Sequence, residues 1–126
     1  MGHSTAILTL KNPRRDDINP VSVEALADTG SIYLAIPDHI RLQFDLDEHS
    51  QKEITLADDT KKMVPYVGPI ETRFGNRVAF VGAIVMGDEF LLGAIPMEDM
   101  DLVVVPNQRR VVVNPLNPNY AAGKAK

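Results

Sequence analysis

Along this chain the apolar residues come in short runs, either alternating at period two or continuous, and Pro, Gly and charged clusters separate them. Ala6 to Leu10 reads as a first strand, and Asn12 to Asp17 as the polar turn after it. Val21-Ser22-Val23-Glu24-Ala25-Leu26-Ala27 alternates, which predicts a strand with one face on a core and the other partly wet. It runs straight into Asp28-Thr29-Gly30-Ser31, and Ile32 to Ile36 is the next apolar run. Pro37 to Leu42 begins a short helix with Pro37 in its first turn. Asp45 to Glu53 is polar and is expected to be a loop. Glu53 to Leu56 and Met63 to Val67 flank the polar centre Ala57 to Lys62, the pattern of an exposed hairpin. A second hairpin joins Pro69 to Phe74 and Arg77 to Val85 across Gly75-Asn76.

Phe90 to Gly93 reads as a short buried strand ending at a glycine, and Ala94 to Met100 is the best remaining helix candidate. Leu102 to Val105 and Val111 to Val113 bracket Pro106 to Arg110 as a closing hairpin. From Asn114 onward the tail is expected to be an extended edge and then disordered. Many short strands with one or two short helices predict a mostly β, small barrel-like domain over residues 1–126, with its core at about 5–113 and a C-terminal extension at 114–126.

Composition narrows the function classes. A chain of 126 residues is one domain's worth, and 13 basic against 17 acidic residues leave a net charge of −4, which argues against a grip on nucleic acid. The absence of cysteine removes disulfides, Cys-ligated zinc and thiol nucleophiles, and suits a reducing compartment. Met1-Gly2-His3-Ser4 lacks the charged region and apolar run expected of a signal peptide, its Gly-His pair is compatible with a cloning remnant, and it carries no part of the argument. Gly87, Asp88 and Glu89 interrupt the most apolar region before it reaches membrane-spanning length, so the expected setting is the cytoplasm, with no membrane partner.

The candidate chemistry sits at Asp28. An ionised carboxylate at the end of an apolar strand needs hydrogen-bond donors, and the turn that follows it supplies a hydroxyl residue, a glycine and a serine. Taken alone, Asp-Thr-Gly-Ser also reads as an ordinary surface turn. Its context separates the two readings. The apolar strand into Asp28-Thr29-Gly30-Ser31, the polar-tipped hairpin around Asp58, and Leu91-Leu92-Gly93 before a short helix stand in an order and spacing that resembles the retropepsin-like aspartic proteases. The resemblance covers roughly Val21 to Val113.

This resemblance implies a small closed barrel of retropepsin-like type. It makes Asp28 the catalytic carboxylate and Thr29 the hydroxyl that ties two active-site loops together across a dimer axis. Gly30 would admit the substrate backbone, and Ser31 would donate to the outer carboxylate oxygen. Leu56, Ala57, Asp58, Asp59, Thr60 and Met63 would belong to the flap over bound peptide, and Leu91, Leu92 and Gly93 would pack beneath the active-site loop. One Asp-Thr-Gly per chain implies a homodimer, whose two Asp28 carboxylates would share a proton. A peptide or protein is the implied substrate, and no cofactor or metal is called for. Two departures stand out: the flap tip has no glycine, and Ile95 occupies a position where many relatives carry Asp. They leave a catalytically silent, peptide-binding or scaffold dimer as the rival, with a generic β-barrel binding module as a third reading.

Other groups carry less. Asp45 to His49 starts like a calcium loop, but Ser50 and Leu56 stand where its glycine and bidentate Glu belong. Glu98, Asp99 and Asp101 read as a charged helix surface and its end, with a metal site as a remote alternative, and His3, His39 and His49 have no ligand spacing. Met86, Met97 and Met100 read as core filler, although the resemblance brings that region near substrate pockets. Serine-hydrolase elbows and phosphate-binding glycine loops do not occur.

Overall fold

The computed structural model describes residues 3–125, and the readings that fall on Met1, Gly2 and Lys126 lie outside the described residues. Nine strands and two short α-helices follow one another as β1 (Thr5–Lys11), β2 (Val21–Ala27), β3 (Leu34–Ile36), α1 (Asp38–Gln43), β4 (Asp47–Thr55), β5 (Lys61–Phe74), β6 (Arg77–Val85), β7 (Phe90–Leu92), α2 (Ala94–Met100), β8 (Leu102–Val105) and β9 (Arg110–Val113), with a 3-10 turn over Pro106–Gln108. Six of the strands close on themselves in the order β1-β5-β6-β3-β7-β2, because β1 pairs with both β2 and β5. The mostly β, closed barrel expected from the sequence is the architecture observed.

Alternation builds the wall. On β1, Ala6, Leu8 and Leu10 are buried while Ile7 faces out, so one face of a single strand meets the core. Leu34, Ile36, Ile70, Leu92 and Phe44 join them with essentially no exposure, and each such side chain contributes roughly 1.5–3 kcal/mol through removal from water. Met97 and Met100 of α2 lie in this core, as filler. A smaller apolar cluster of Ala35, Val64 and Ile84, flanked by Tyr33, Ile54, Tyr66 and Met86, sits where the β4–β5 hairpin leaves the barrel.

Three local expectations need correction. Asp45 to Glu53 is not a loop: from Asp47 it is strand β4, paired with β5 from Asp47↔Gly68 to Thr55↔Lys61 around a bulge at His49. The strand carries few apolar side chains because it is the end strand of the sheet, held by backbone bonds while its side chains stay in water. His49 Nε2 lies 2.9 Å from the Gly68 carbonyl oxygen and ties down the bulge. Only Leu34–Ile36 of the run Ile32 to Ile36 is strand, since Ile32 and Tyr33 instead cross the end of β7. Pro37 precedes α1 as its cap residue rather than lying in its first turn.

The tail is not an extended edge either. It folds back in turns onto the C-terminal end of α2, where Asp101, at φ 55°, accepts bonds from Asn114 Nδ2 at 3.1 Å, Asn117 Nδ2 at 2.8 Å and the Ala122 N–H at 3.1 Å. The buried Arg77 guanidinium donates to the Asn117 carbonyl, and Asn76 Nδ2 donates to that of Pro118 at 3.1 Å. Donation from Asn114, Ala122 and Asn117 holds the Asp101 carboxyl below the usual carboxylate range. A lowered folded value means the latch is complete at neutral pH and is lost as pH falls through that value. Asp101→Asn, which keeps the shape but not the charge, is expected to raise proteolytic cutting between Asn114 and Ala122 severalfold. Equal cutting of the two proteins would mean that Asp101 does not hold the tail.

Candidate active site

The Asp28 turn exists because of how β2, β7 and β3 are ordered. Strand β7 lies between the other two, parallel to β2 through Ala27↔Leu92 and antiparallel to β3 through Ala35↔Leu91, so the chain leaving β2 must pass over the end of β7 to reach β3. That crossing is stitched by three backbone bonds: Asp28 N–H to the Leu92 carbonyl at 3.0 Å, Ala94 N–H to Ser31 at 2.8 Å, and Ile95 N–H to Ile32 at 2.9 Å. Gly93 sits at the closest approach, where an added Cβ would stand 2.3 Å from the Tyr33 carbonyl oxygen. Leu91, Leu92 and Gly93 are thus the support on which the turn rests.

Within the turn the Asp28 carboxylate is held at both oxygens. The Gly30 N–H donates to Oδ1 at 3.0 Å and the Ser31 hydroxyl to Oδ2 at 3.1 Å. The Ser31 N–H bonds the Asp28 carbonyl at 3.0 Å, closing the turn beneath them. Asp28, Thr29 and Gly30 are nevertheless exposed. An exposed carboxylate whose two oxygens have fixed donors is an oriented one, and it presents its remaining lone pairs to whatever lies in front of it.

In front of it lies a cleft of about 500 Å³ between the turn and the β4–β5 hairpin. Asp28, Gly30, Ser31, Leu56, Ala57 and Leu91 all line it, so residues far apart in sequence converge there. Ile32, Tyr33, Ile54, Ile84 and Met86 supply apolar wall that motif reading did not single out as site residues, apart from the region around Met86. A partial signal was the i, i+2 spacing of Ile54 with Leu56 and of Ile84 with Met86, each pair running from a strand into the residue just past its end. Glu53 and Thr55 stand at the hairpin side. Thr29, Asp58, Asp59, Thr60, Met63, Leu92 and Gly93 do not line the cleft within one chain, and Met63, paired with Glu53 across the hairpin, is 55% exposed.

The hairpin is anchored at one end and pinned at the other. At its base the Lys52 ammonium lies 4.7 Å from the Tyr66 ring centre and 5.7 Å from that of Tyr33, two rings that meet edge to face at 5.8 Å, and such a cation–π contact contributes about 0.5–1 kcal/mol at an exposed site. At its tip Asp59 takes the left-handed conformation (φ 68°) that a glycine would otherwise supply. Asp58 Oδ1 accepts from the Thr60 hydroxyl at 2.5 Å and the Thr60 N–H at 3.0 Å. Those two donors, the hydroxyl first, hold the Asp58 carboxyl below the usual carboxylate range. Because the folded value is lowered, the pin is complete at neutral pH and opens as pH falls through it. An NMR titration of the Thr60 amide is expected to show a midpoint below the ordinary aspartate range, and a midpoint at or above that range would mean the tip is not pinned.

No family model matches the chain, and no curated protein matches it. Among solved structures, the chain is similar to Lpg0085, a protein of unknown function (DUF785) from Legionella pneumophila, at 13% identity and a TM-score of 0.42, with 79% of this chain and 89% of that one covered. The functional reading therefore rests on the site itself. No group of three or more metal-ligating side chains occurs among the described residues, and no helix among them is long and apolar enough to cross a membrane.

Proposed function

We propose that the chain is one half of a homodimeric, retropepsin-like aspartic endopeptidase, with Asp28 of each copy meeting across a two-fold axis. The observation that carries this reading is the Asp28 turn: a carboxylate oriented by Gly30 and Ser31, exposed, and facing a cleft bordered by a hairpin. One carboxylate performs half of the chemistry. Hydrolysis of an amide at neutral or mildly acidic pH needs a base for the water and an acid for the carbonyl oxygen. Two carboxylates in contact cannot both ionise, so the pair shares one proton and offers both functions at once.

In the proposed reaction the ionised Asp28 takes a proton from a water as its oxygen attacks the scissile carbonyl carbon. The protonated partner gives its proton to the carbonyl oxygen. The tetrahedral gem-diol then collapses: one hydroxyl returns its proton to the ionised carboxylate as the C=O bond reforms, the C–N bond breaks, and the departing nitrogen takes the proton of the other carboxyl, which leaves the dyad with one proton again. Strand β4 has a free edge and its Glu53 to Thr55 segment borders the cleft, which suits main-chain bonding to an extended peptide. Thr29 is exposed in the same turn, and in this reading it meets its counterpart in the second copy.

A second reading, a dimer of the same form that holds peptide without cutting it, is favoured by the pinned, glycine-free hairpin tip. Sedimentation equilibrium combined with a cleavage assay on unstructured peptides tests the proposal. A monomer–dimer equilibrium, with cleavage that rises with the dimer fraction, is expected. A chain that stays monomeric at high concentration would remove the mechanism, and a dimer that binds peptides without turnover would establish the second reading.

A further inference from the structure

Beside the cleft lies a second depression, of about 240 Å³, that the chemistry at Asp28 does not use. Tyr33 lines both. Ile32, on the wall of the first, is bonded through its carbonyl to the N–H of Ile95, on the wall of the second. The two depressions are therefore neighbours, with Tyr33 common to both. The second has a floor at Val81 and Gly82 and aromatic sides in Tyr66 and Phe80. Gly82 makes room for one of those sides, because Tyr66 folds over that position so closely that an added Cβ would lie 2.3 Å from its ring.

Ile95 and Asp99 are four residues apart on α2, which puts both on one helix face, and both line this depression. Every formally charged side chain lining either depression is acidic: Asp28 and Glu53 in the first, Asp99 in the second. Among the described residues no lysine or arginine pairs with Glu53 or Asp99. Lys52, next to Glu53 in sequence, lies over the rings of Tyr66 and Tyr33. The second depression is thus lined by apolar and aromatic residues together with one carboxylate, Asp99, that has no ion-pair partner. That arrangement is complementary to a side chain with an aliphatic stem and a cationic head.

We infer that the cleft continues past Tyr33 into an outer subsite that takes a lysine or arginine side chain of the bound peptide, its stem against Phe80 and Ile95 and its charge at Asp99. This inference rests on the peptide-cleaving reading above and names a substrate class for it. It also gives Ile95 a task, as apolar wall for the stem.

The test uses the full chain carrying Asp28→Asn, which binds without turnover, and octapeptides with an apolar centre. Each outer position in turn carries lysine, norleucine or glutamate, and binding is read by fluorescence anisotropy. At one outer position lysine is expected to bind about three- to fivefold more tightly than norleucine, the range of an exposed ion pair, with the ratio shrinking as salt is raised. Adding Asp99→Asn, an exposed and isosteric change, is expected to bring that ratio to about one. Equal binding of the lysine and norleucine peptides at every position, or a ratio that survives Asp99→Asn, would overturn the subsite while leaving the peptide-cleaving reading intact. If no peptide of any composition binds either protein, the peptide reading itself fails and the subsite falls with it.

Discussion

Asp28→Asn is expected to lower peptide hydrolysis by on the order of 10²- to 10⁴-fold, the range that positioned acid–base catalysis contributes, with little loss of fold. Both copies of a dimer carry the change, so neither water activation nor the shared proton survives. The amide oxygen can still accept the Gly30 N–H that Asp28 Oδ1 accepts at 3.0 Å, and the side chain is exposed, so a stability change within about 1 kcal/mol is expected. Pure Asp28→Asn protein that cleaves at the parental rate would place the activity elsewhere.

Gly93→Ala is expected to have the largest effect on stability. The new methyl would stand 2.3 Å from the Tyr33 carbonyl oxygen, 2.7 Å from the Ile32 carbonyl carbon and 2.8 Å from the Ile32 oxygen, and all three are backbone atoms with no rotamer to move. To relieve the overlap, the crossing from β2 to β3 must rise off β7, stretching the bonds from Ala94 to Ser31 and from Ile95 to Ile32. A loss of about 3 kcal/mol, on the order of 10 °C in Tm, is expected. Activity should fall further than the folded fraction does, because the same shift tilts the Asp28 carboxylate out of the cleft. A thermal melt within about 2 °C of the parent would show that the turn has slack there.

Much of the barrel is legible in the sequence because its walls are half-buried strands that alternate. Val21 to Ala27 and Ala94 to Met100 were bounded as they are observed, and both hairpin turns fall where Asp59 and Gly75 stand. Strand β4 escaped because alternation reports burial, and an end strand with wet side chains is held by backbone bonds that leave no trace in residue type. The order β3-β7-β2, and with it the need for Gly93, is also invisible along the chain: a glycine after Leu92 reads as a strand end, and only the crossing shows which backbone it must clear. At the site, Asp28, Gly30 and Ser31 were legible because a carboxylate and its donors lie within four residues. The aromatic cage under Lys52 and the outer depression at Asp99 draw on five separate segments, and no local spacing predicts such convergence. The tail differs for a related reason, since Asn114 and Asn117 are turn residues whose partner, Asp101, lies on another element.

A crystal structure of the chain with a statine-type transition-state analogue measures the central claim most directly, through the separation of the two Asp28 carboxylates. The expected result is a two-fold dimer with facing oxygens at hydrogen-bond distance, about 2.5–3.0 Å, and the analogue's hydroxyl between them. A dimer built on another surface, with the two Asp28 side chains facing separate solvent, would contradict it.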